Sequence, residues 1–240
     1  MRSKRERLYA WDKKSMQWYE NAVNYRSFHT DAVKMILADL PEAPSVCDIG
    51  CGIGALALPL AEKCSRVLAM DLNPIPIAAL ERRAAARGFS NITAVTADFE
   101  TADPPSKRFD AAVFCLAGGV PTFLEKGFLW ADKLFFIENA TKNRSFSSVG
   151  SQTKEVYYHE DLEYLTEMGC SFTHRFFTAP FGQVFVDRAD AEAFMHHYDK
   201  GETEEDIQRF LDEHLQPVSE PGYSLFLPNE KPLLFIEITR

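Results

Sequence analysis

Seven residues, Asp48-Ile49-Gly50-Cys51-Gly52-Ile53-Gly54, constrain this chain more than any other stretch. They begin at the last residue of a short apolar run, Ser45–Asp48, and lead into a segment of helical character. Alternating glycines at a strand-to-helix turn let backbone approach a ligand closely and leave helix N-terminal N–H groups free to meet an anion. Asp71 ends the next strand-like run, 71 − 50 = 21 residues past the first glycine, where an acid can bind two ribose hydroxyls. A nucleotide-like ligand is implied.

The pattern around the turn predicts the fold. Short apolar runs at Ser45–Asp48, Arg66–Asp71, Asn91–Ala97, Asp110–Cys115 and Lys133–Glu138 alternate with helical segments, as in βαβ units feeding a parallel sheet. Asn73 and Pro74 provide an N-cap and a first-turn proline for the second of these helices, and Gly88 stops it. Pro59 falls inside the helix expected after the glycines and predicts a kink there. A helix over His159–Met168, a strand over Ser171–Thr178 and a last strand over Leu233–Thr239 complete seven strands, with Ala140–Gln152 a polar loop. The expectation is one doubly wound, Rossmann-like α/β domain over residues 1–240 with a mostly parallel seven-stranded sheet. Residues 44–178 and 230–240 form its core, 1–43 a helical cap, and 179–229 a lid inserted before the last strand.

Leu8, Trp11, Ser15, Trp18, Tyr19 and Ala22 give the cap an aromatic face at helical spacing, assigned mainly to packing against the sheet and secondarily to covering a cofactor. A second cap helix is predicted over Asp31–Leu40. In the lid, helices are expected near Ala189–Tyr198 and around Ile207, Phe210, Leu211 and Leu215, with Pro217, Pro221 and Pro228 punctuating its end.

Read as Gly50-Cys51-Gly52-Ile53-Gly54-Ala55, the turn also satisfies the dinucleotide fingerprint, so the glycines alone serve two cofactors. Asp48 separates them. A carboxylate two residues before the first glycine repels a pyrophosphate but attracts the ammonium of a methionine moiety, which favours S-adenosylmethionine over NAD(P).

The stretch resembles the class I S-adenosylmethionine-dependent methyltransferases, strongly over Ser45–Asn139 and faintly elsewhere. Their first motif is an acid followed by alternating glycines, here Asp48 through Gly54. The resemblance implies a cofactor site of Asp48, Gly50, Cys51, Gly52, Gly54, Asp71, Leu72, Asn73, Asp98, Phe99 and Cys115. Within it Asp71 would hold the ribose, Asp98 with Phe99 would meet the adenine, and the strand ending at Cys115 would face the methyl group. It also implies that the last strand runs antiparallel. Cys115-Leu116-Ala117-Gly118-Gly119 lacks the Asn/Asp-Pro-Pro-Tyr/Phe motif that grips base or glutamine amines, which argues against those acceptors.

A net charge of −9, with the dense basic cluster Arg2, Lys4, Arg5 and Arg7 confined to the start, argues against a nucleic-acid partner. Cys47, Cys51, Cys64, Cys115 and Cys170 form no CxxC pair and suit reduced thiols in a cytoplasm, and no apolar run approaches membrane-spanning length. The expected acceptor is a small, partly apolar molecule enclosed by Phe181, Phe185, Phe194 and Tyr198.

No catalytic residue is assigned, since methyl transfer from a sulfonium needs orientation and often only the loss of one proton. Glu138, His159, His174 and the Tyr19–Tyr25 cap are the candidate bases. His196-His197 point to different helix faces, and no metal is expected. An oxidoreductase using NAD(P) and a noncatalytic S-adenosylmethionine-binding protein remain the alternatives.

Overall fold

A computed structural model describes residues 11–141, 158–198 and 203–240. In chain order the elements are α1 (Lys13–Tyr25), α2 (Phe28–Leu37), β1 (Ser45–Ile49), α3 (Ala57–Ala61), β2 (Arg66–Asp71), α4 (Pro74–Ala86), β3 (Ile92–Thr96), β4 (Phe109–Cys115), α5 (Val120–Trp130) and β5 (Ala131–Asn139). Then come α6 (Tyr158–Glu167), β6 (Ser171–Pro180), β7 (Gln183–Phe185), α7 (Arg188–Tyr198), α8 (Glu204–His214), β8 (Gln216–Glu220), β9 (Tyr223–Leu227) and β10 (Glu230–Thr239). The basic cluster Arg2, Lys4, Arg5 and Arg7, Leu8, and most of the loop expected at Ala140–Gln152 lie outside the described residues.

The main sheet has seven strands in the order β3-β2-β1-β4-β5-β10-β6, and it is the expected Rossmann-like, mostly parallel arrangement. β1 pairs in parallel with β2 on one side and β4 on the other, so the chain reverses direction of travel across the sheet at β1. A crevice opens at the carboxyl ends of strands at such a point. β10 runs antiparallel to both β5 and β6, as expected for the last strand.

Strand pleating distributes the core to two faces. Ala111, Val113, Phe135 and Ile137 face a layer with Phe28, Ile36, Leu58 and Leu80 from α2, α3 and α4. Ala112, Phe114, Leu134 and Phe136 face the other layer with Leu124, Trp130 and Leu165 from α5, its C-terminal end and α6. The rings of Phe114 and Phe136 stack 4.5 Å apart across β4 and β5. α4 has the predicted termini: Asn73 Oδ1 accepts the Ile75 N–H at 3.0 Å, Pro74 begins the helix, and Gly88 follows it at φ +70°.

Four expectations need correction. The helix after the glycines does not kink at Pro59; it begins only at Ala57, which puts Pro59 in the first turn, where a missing N–H leaves no intrahelical bond unmade. The second cap helix runs over Phe28–Leu37 rather than from Asp31 to Leu40. The segment from 179 to 229 is more than two helices, because β7, β9 and β8 form an antiparallel sheet of their own. Pro217 sits on its edge strand β8, beside a register shift, where a missing N–H is tolerated.

The fourth concerns the aromatic face of α1. Trp18, 2% exposed, packs into a cluster with Phe185, Phe194, Met195, Leu211 and Leu227, away from the main sheet. Its indole Nε1 donates to Asp190 at 3.0 Å, and Lys14 pairs with the same carboxylate at 2.6 Å. Asp12 caps α1 with a reciprocal Ser15 bond, which fixes the direction in which the helix enters this cluster. Helix α1 thus shares one hydrophobic cluster with β7, α7, α8 and β9.

Candidate functional site

Asp48, the last residue but one of β1, is 1% exposed. The Ala57 N–H faces its carboxylate, but Oδ2 has no hydrogen-bond partner. Burial first, and the nearby Asp71 second, push this carboxyl up to about 7.

The glycine turn is pinned to the end of β2. Gly50 and Cys51 both donate their N–H to the Met70 carbonyl, at 2.8 and 3.1 Å, and Gly54 donates to the Cys51 carbonyl at 2.9 Å. Gly52 donates to Asp71 Oδ2 at 2.8 Å, while Asp71 Oδ1 accepts the Asn73 N–H at 2.8 Å. These bonds correct the expectation of free N–H groups for an anion, because four N–H groups of the turn are already committed to protein acceptors. Gly50, at φ +73°, also admits the neighbouring loop: a Cβ built there would lie 2.3 Å from the Ala117 Cβ.

Beside the turn is a cavity of about 580 Å³. Of the sequence-predicted site residues, Asp48, Gly50, Cys51, Gly52, Asp71, Leu72, Asn73, Asp98, Phe99 and Cys115 all line it. Gly54 does not; its Cα faces Leu80, the nearest neighbour of any Cβ placed there. Asp98 holds its own turn through the Glu100 N–H at 2.9 Å. The Phe99 ring leans on Phe114 and Phe123 at 5.4 and 5.5 Å, so it closes the floor as much as it faces the space. Four carboxylates, Asp48, Asp71, Asp98 and Glu100, line this cavity against one lysine, Lys231. Cys115 ends β4 in the same wall, and burial raises its thiol far above the usual range. Leu116 follows at φ +56°, a strained left-handed conformation at the cavity edge.

A second cavity of about 290 Å³ lies under the cap and shares Tyr19, His29, Phe181 and Lys231 with the first. Tyr19, from the aromatic face of α1, therefore stands between the two spaces. Its hydroxyl is 3.1 Å from His29 Nε2, and burial raises its ionisation well above the ordinary tyrosine range. Burial, then the charge of Arg83, depresses His29 to about 3, so its imidazole is neutral. Trp11 also lines the first cavity and meets Tyr19 edge to face at 5.4 Å.

Sequence reasoning missed His29, Lys231 and Arg26, all of which line the second cavity. For His29 a signal existed: it shares the buried stripe of α2 with Ala32, Val33 and Ile36 at helical spacing. Lys231 and Arg26 carry no comparable mark, because what brings them together is the antiparallel return of β10 and the turn after α1.

Other candidate bases are placed elsewhere. His174 is exposed on β6 between Phe172 and Phe176, and Tyr25 leans on Phe226 at 5.2 Å. Glu138 sits at the end of β5 beside Asp161 and the Val120 N–H, outside both cavities; burial and then Asp161 raise it to about 8. The side chain of His159 lies outside the described residues. In the lid, Phe181, Phe194 and Tyr198 line the second cavity, whereas Phe185 is buried in the cap cluster and does not. His196 pairs with Glu204 at 3.0 Å and His197 faces Asp12 at 3.9 Å. Among the described residues no three His, Cys, Asp or Glu side chains converge on a metal position.

The first cavity fits S-adenosylmethionine on two observations: an orphaned, buried carboxylate oxygen suits the ammonium of its methionine part, and Asp71 at the end of β2 is placed for ribose hydroxyls. A pyrophosphate would meet four acids and few unspent N–H groups.

Residues 46–123 match a family model described as a methyltransferase domain. The probable ribosomal RNA small subunit methyltransferase A of Methanosphaera stadtmanae is 33% identical over 76 residues, 32% of this chain. That match spans only 27% of the relative's own length. Among solved structures, the YcgJ protein from Bacillus subtilis superposes with a TM-score of 0.57 at 13% identity, over 88% of this chain and 97% of that one. Coclaurine N-methyltransferase, bound to N-methylheliamine and SAH, gives 0.52 at 14% identity over 88% and 72%. At these identities the structural likeness is one of fold.

Proposed function

We propose, from the premise that the chain carries a class I S-adenosylmethionine-dependent methyltransferase domain, that it moves a methyl group onto a small molecule held beneath its cap. The carrying observation is the division of labour in the glycine turn: its N–H groups are bound to Met70, Cys51 and Asp71, so the cavity offers carboxylates to its ligand. Such a surface suits a cofactor that bears an ammonium and a sulfonium. Bound there, S-adenosylmethionine would supply an electrophilic methyl group for a lone pair of the acceptor.

In this reading Asp48 receives the ammonium, Asp71 the ribose, and Asp98 with Phe99 the adenine, while Cys115 and Leu116 border the reacting end. Tyr19 and neutral His29 form a polar pair at the junction of the cavities, placed to orient an acceptor by hydrogen bonding and to exclude water. The described residues of 11–43 and 179–229 act together as the acceptor-binding cap, and Trp18 with Asp190 is the joint that unites them. A small acceptor is supported by the modest volume of the second cavity, and the acidic balance of the chain speaks against nucleic acid. Free thiols fit a cytoplasmic location, and among the described residues no helix is long and apolar enough to cross a membrane.

Calorimetric titration with S-adenosylhomocysteine and with NADH tests the cofactor assignment. Binding of the first and silence from the second is expected; NADH binding without S-adenosylhomocysteine binding would overturn it. Transfer of label from methyl-labelled S-adenosylmethionine to the small-molecule fraction of a cell extract then separates an enzyme from a sensor, and label in RNA would contradict the small acceptor.

A further inference from the structure

We infer that the second cavity selects an acceptor bearing both an aromatic or other flat apolar body and an anionic group such as a carboxylate. The inference rests on the reading of the first cavity as the cofactor site and names the class of molecule that lies next to it.

The charge distribution carries it. The first cavity has four carboxylates in its wall. The adjoining one has none, and its charged lining groups are Arg26 and Lys231. Neither cation makes an ion pair among the described residues, and Arg26 Nε is a buried donor without a partner. Burial depresses Lys231, which marks an ammonium whose desolvation no protein carboxylate offsets. A half-buried cation without a carboxylate partner is costly to desolvate, and an anionic ligand in the cavity compensates it.

The rest of the wall sets the body of the molecule. Lys231 Nζ lies over the Phe181 ring at 4.9 Å, and the Arg26 guanidinium over Phe226 at 4.2 Å, so the cations are held against aromatic faces. Phe28, Phe194 and Tyr198 contribute further ring surface. At about 290 Å³ the space suits one or two fused rings rather than a polymer. His29, neutral, and Tyr19, un-ionised, add hydrogen-bonding groups without charge at the passage to the cofactor side. The two spaces thus differ in sign: the acids all line the first, and the cations Arg26 and Lys231 line the second, with Lys231 at the border of both.

The test titrates the protein, saturated with S-adenosylhomocysteine, with benzoate, 2-naphthoate, benzyl alcohol and benzylamine, read by calorimetry. The two carboxylates should bind, the alcohol more weakly, and the amine not measurably. Lys231→Met and Arg26→Met should each weaken carboxylate binding about ten-fold or more, as expected for a charged hydrogen bond. Arg26→Met, which lies outside the first cavity, should leave the affinity for S-adenosylhomocysteine unchanged. Benzylamine binding as well as benzoate, no carboxylate binding at millimolar concentration, or carboxylate affinity indifferent to both substitutions would overturn the inference. The wild-type comparison of acid and amine stands even if a variant fails to fold. Failure of S-adenosylhomocysteine to bind wild type counts against the cofactor reading instead, and the carboxylate titration can then be read on the free protein.

Discussion

Asp71 joins the two halves of the cofactor turn: one carboxylate oxygen accepts the Gly52 N–H at 2.8 Å and the other accepts the Asn73 N–H at the same distance. The acid that faces the cavity therefore also shapes it. Two backbone donors hold the carboxylate in place before any ligand arrives, which lowers the ordering cost of binding.

Replacing Asp71 with Ala should consequently act twice. Loss of charged hydrogen bonds to a ribose, worth about 1.5–3 kcal/mol each, should weaken S-adenosylhomocysteine binding on the order of 100-fold. Loss of the bonds to Gly52 and Asn73 should also lower the melting temperature of the free protein by several degrees. Asp71→Asn keeps one acceptor oxygen and should recover part of the stability but little of the affinity. Calorimetry and thermal melts on the same samples distinguish the two effects; unchanged affinity in Asp71→Ala would remove Asp71 from the site.

Asp48 should impose a pH dependence on cofactor binding. With its carboxyl raised to about 7 in the free protein, it is protonated in mild acid and must lose that proton to pair with an ammonium. Affinity for S-adenosylhomocysteine should therefore rise with pH up to about 7 and level off above it, with proton release on binding at pH 6. A folded-state value raised above the unfolded one of about 4 also means that the free protein loses stability from this group as pH rises between the two. Asp48→Asn should make the free protein more heat-stable at pH 8 and abolish the pH-dependent rise in affinity. A flat affinity profile in wild type would contradict the assignment.

Much of this was legible in the chain, for a physical reason. The glycines, Asp48 and Asp71 lie close in sequence to the strand ends that position them, so spacing alone places them in one crevice. The sheet strands were legible because burial on both faces leaves near-continuous apolar runs, as in Ala111–Phe114. The cap was not. Trp18 meets Phe194 and Asp190 across more than 170 residues, and nothing local in α1 shows which surface its aromatic face will bury. The prolines of β8 and β9's flanks read as punctuation, because the edge position that permits Pro217 is a property of the finished sheet. Lys231 and Arg26 were invisible for the same reason: each is an ordinary surface-type residue until β10 returns beside β6 and the chain turns after α1.

His29 should make the fold sensitive to acid. Its folded-state value of about 3 lies below the unfolded one of about 6.5, so the protein gains stability from a neutral imidazole above the latter and loses it as pH falls toward the former. Denaturant unfolding at pH 7.5 and pH 5 should give a clear drop in wild type. His29→Gln, which keeps a hydrogen-bonding partner for Tyr19 but cannot be protonated, should show a smaller one. An equal drop in both proteins would assign the acid sensitivity to other groups.

Two glycines of the turn should differ in what their replacement breaks. Gly50 and Gly52 both have left-handed backbone, at φ +73° and +52°, so an alanine costs about 1–2 kcal/mol at either. Their surroundings differ. A Cβ at Gly50 would lie 2.3 Å from the Ala117 Cβ, forcing the loops after β1 and β4 apart, whereas at Gly52 the nearest atom is Trp11 Cζ2 at 3.6 Å, an ordinary contact. Gly50→Ala should therefore add an overpacking cost of about 1–3 kcal/mol and lower the melting temperature the more. Gly52→Ala should remain folded with a modest loss, yet its methyl group points toward the Trp11 side of the cavity wall and should reduce S-adenosylhomocysteine affinity disproportionately. Thermal melts and calorimetry on the two variants measure both. A Gly52→Ala protein that binds as wild type does would show that the ligand leaves room at the turn, and the cofactor would then have to sit farther toward Asp98 than the position of Asp48 implies.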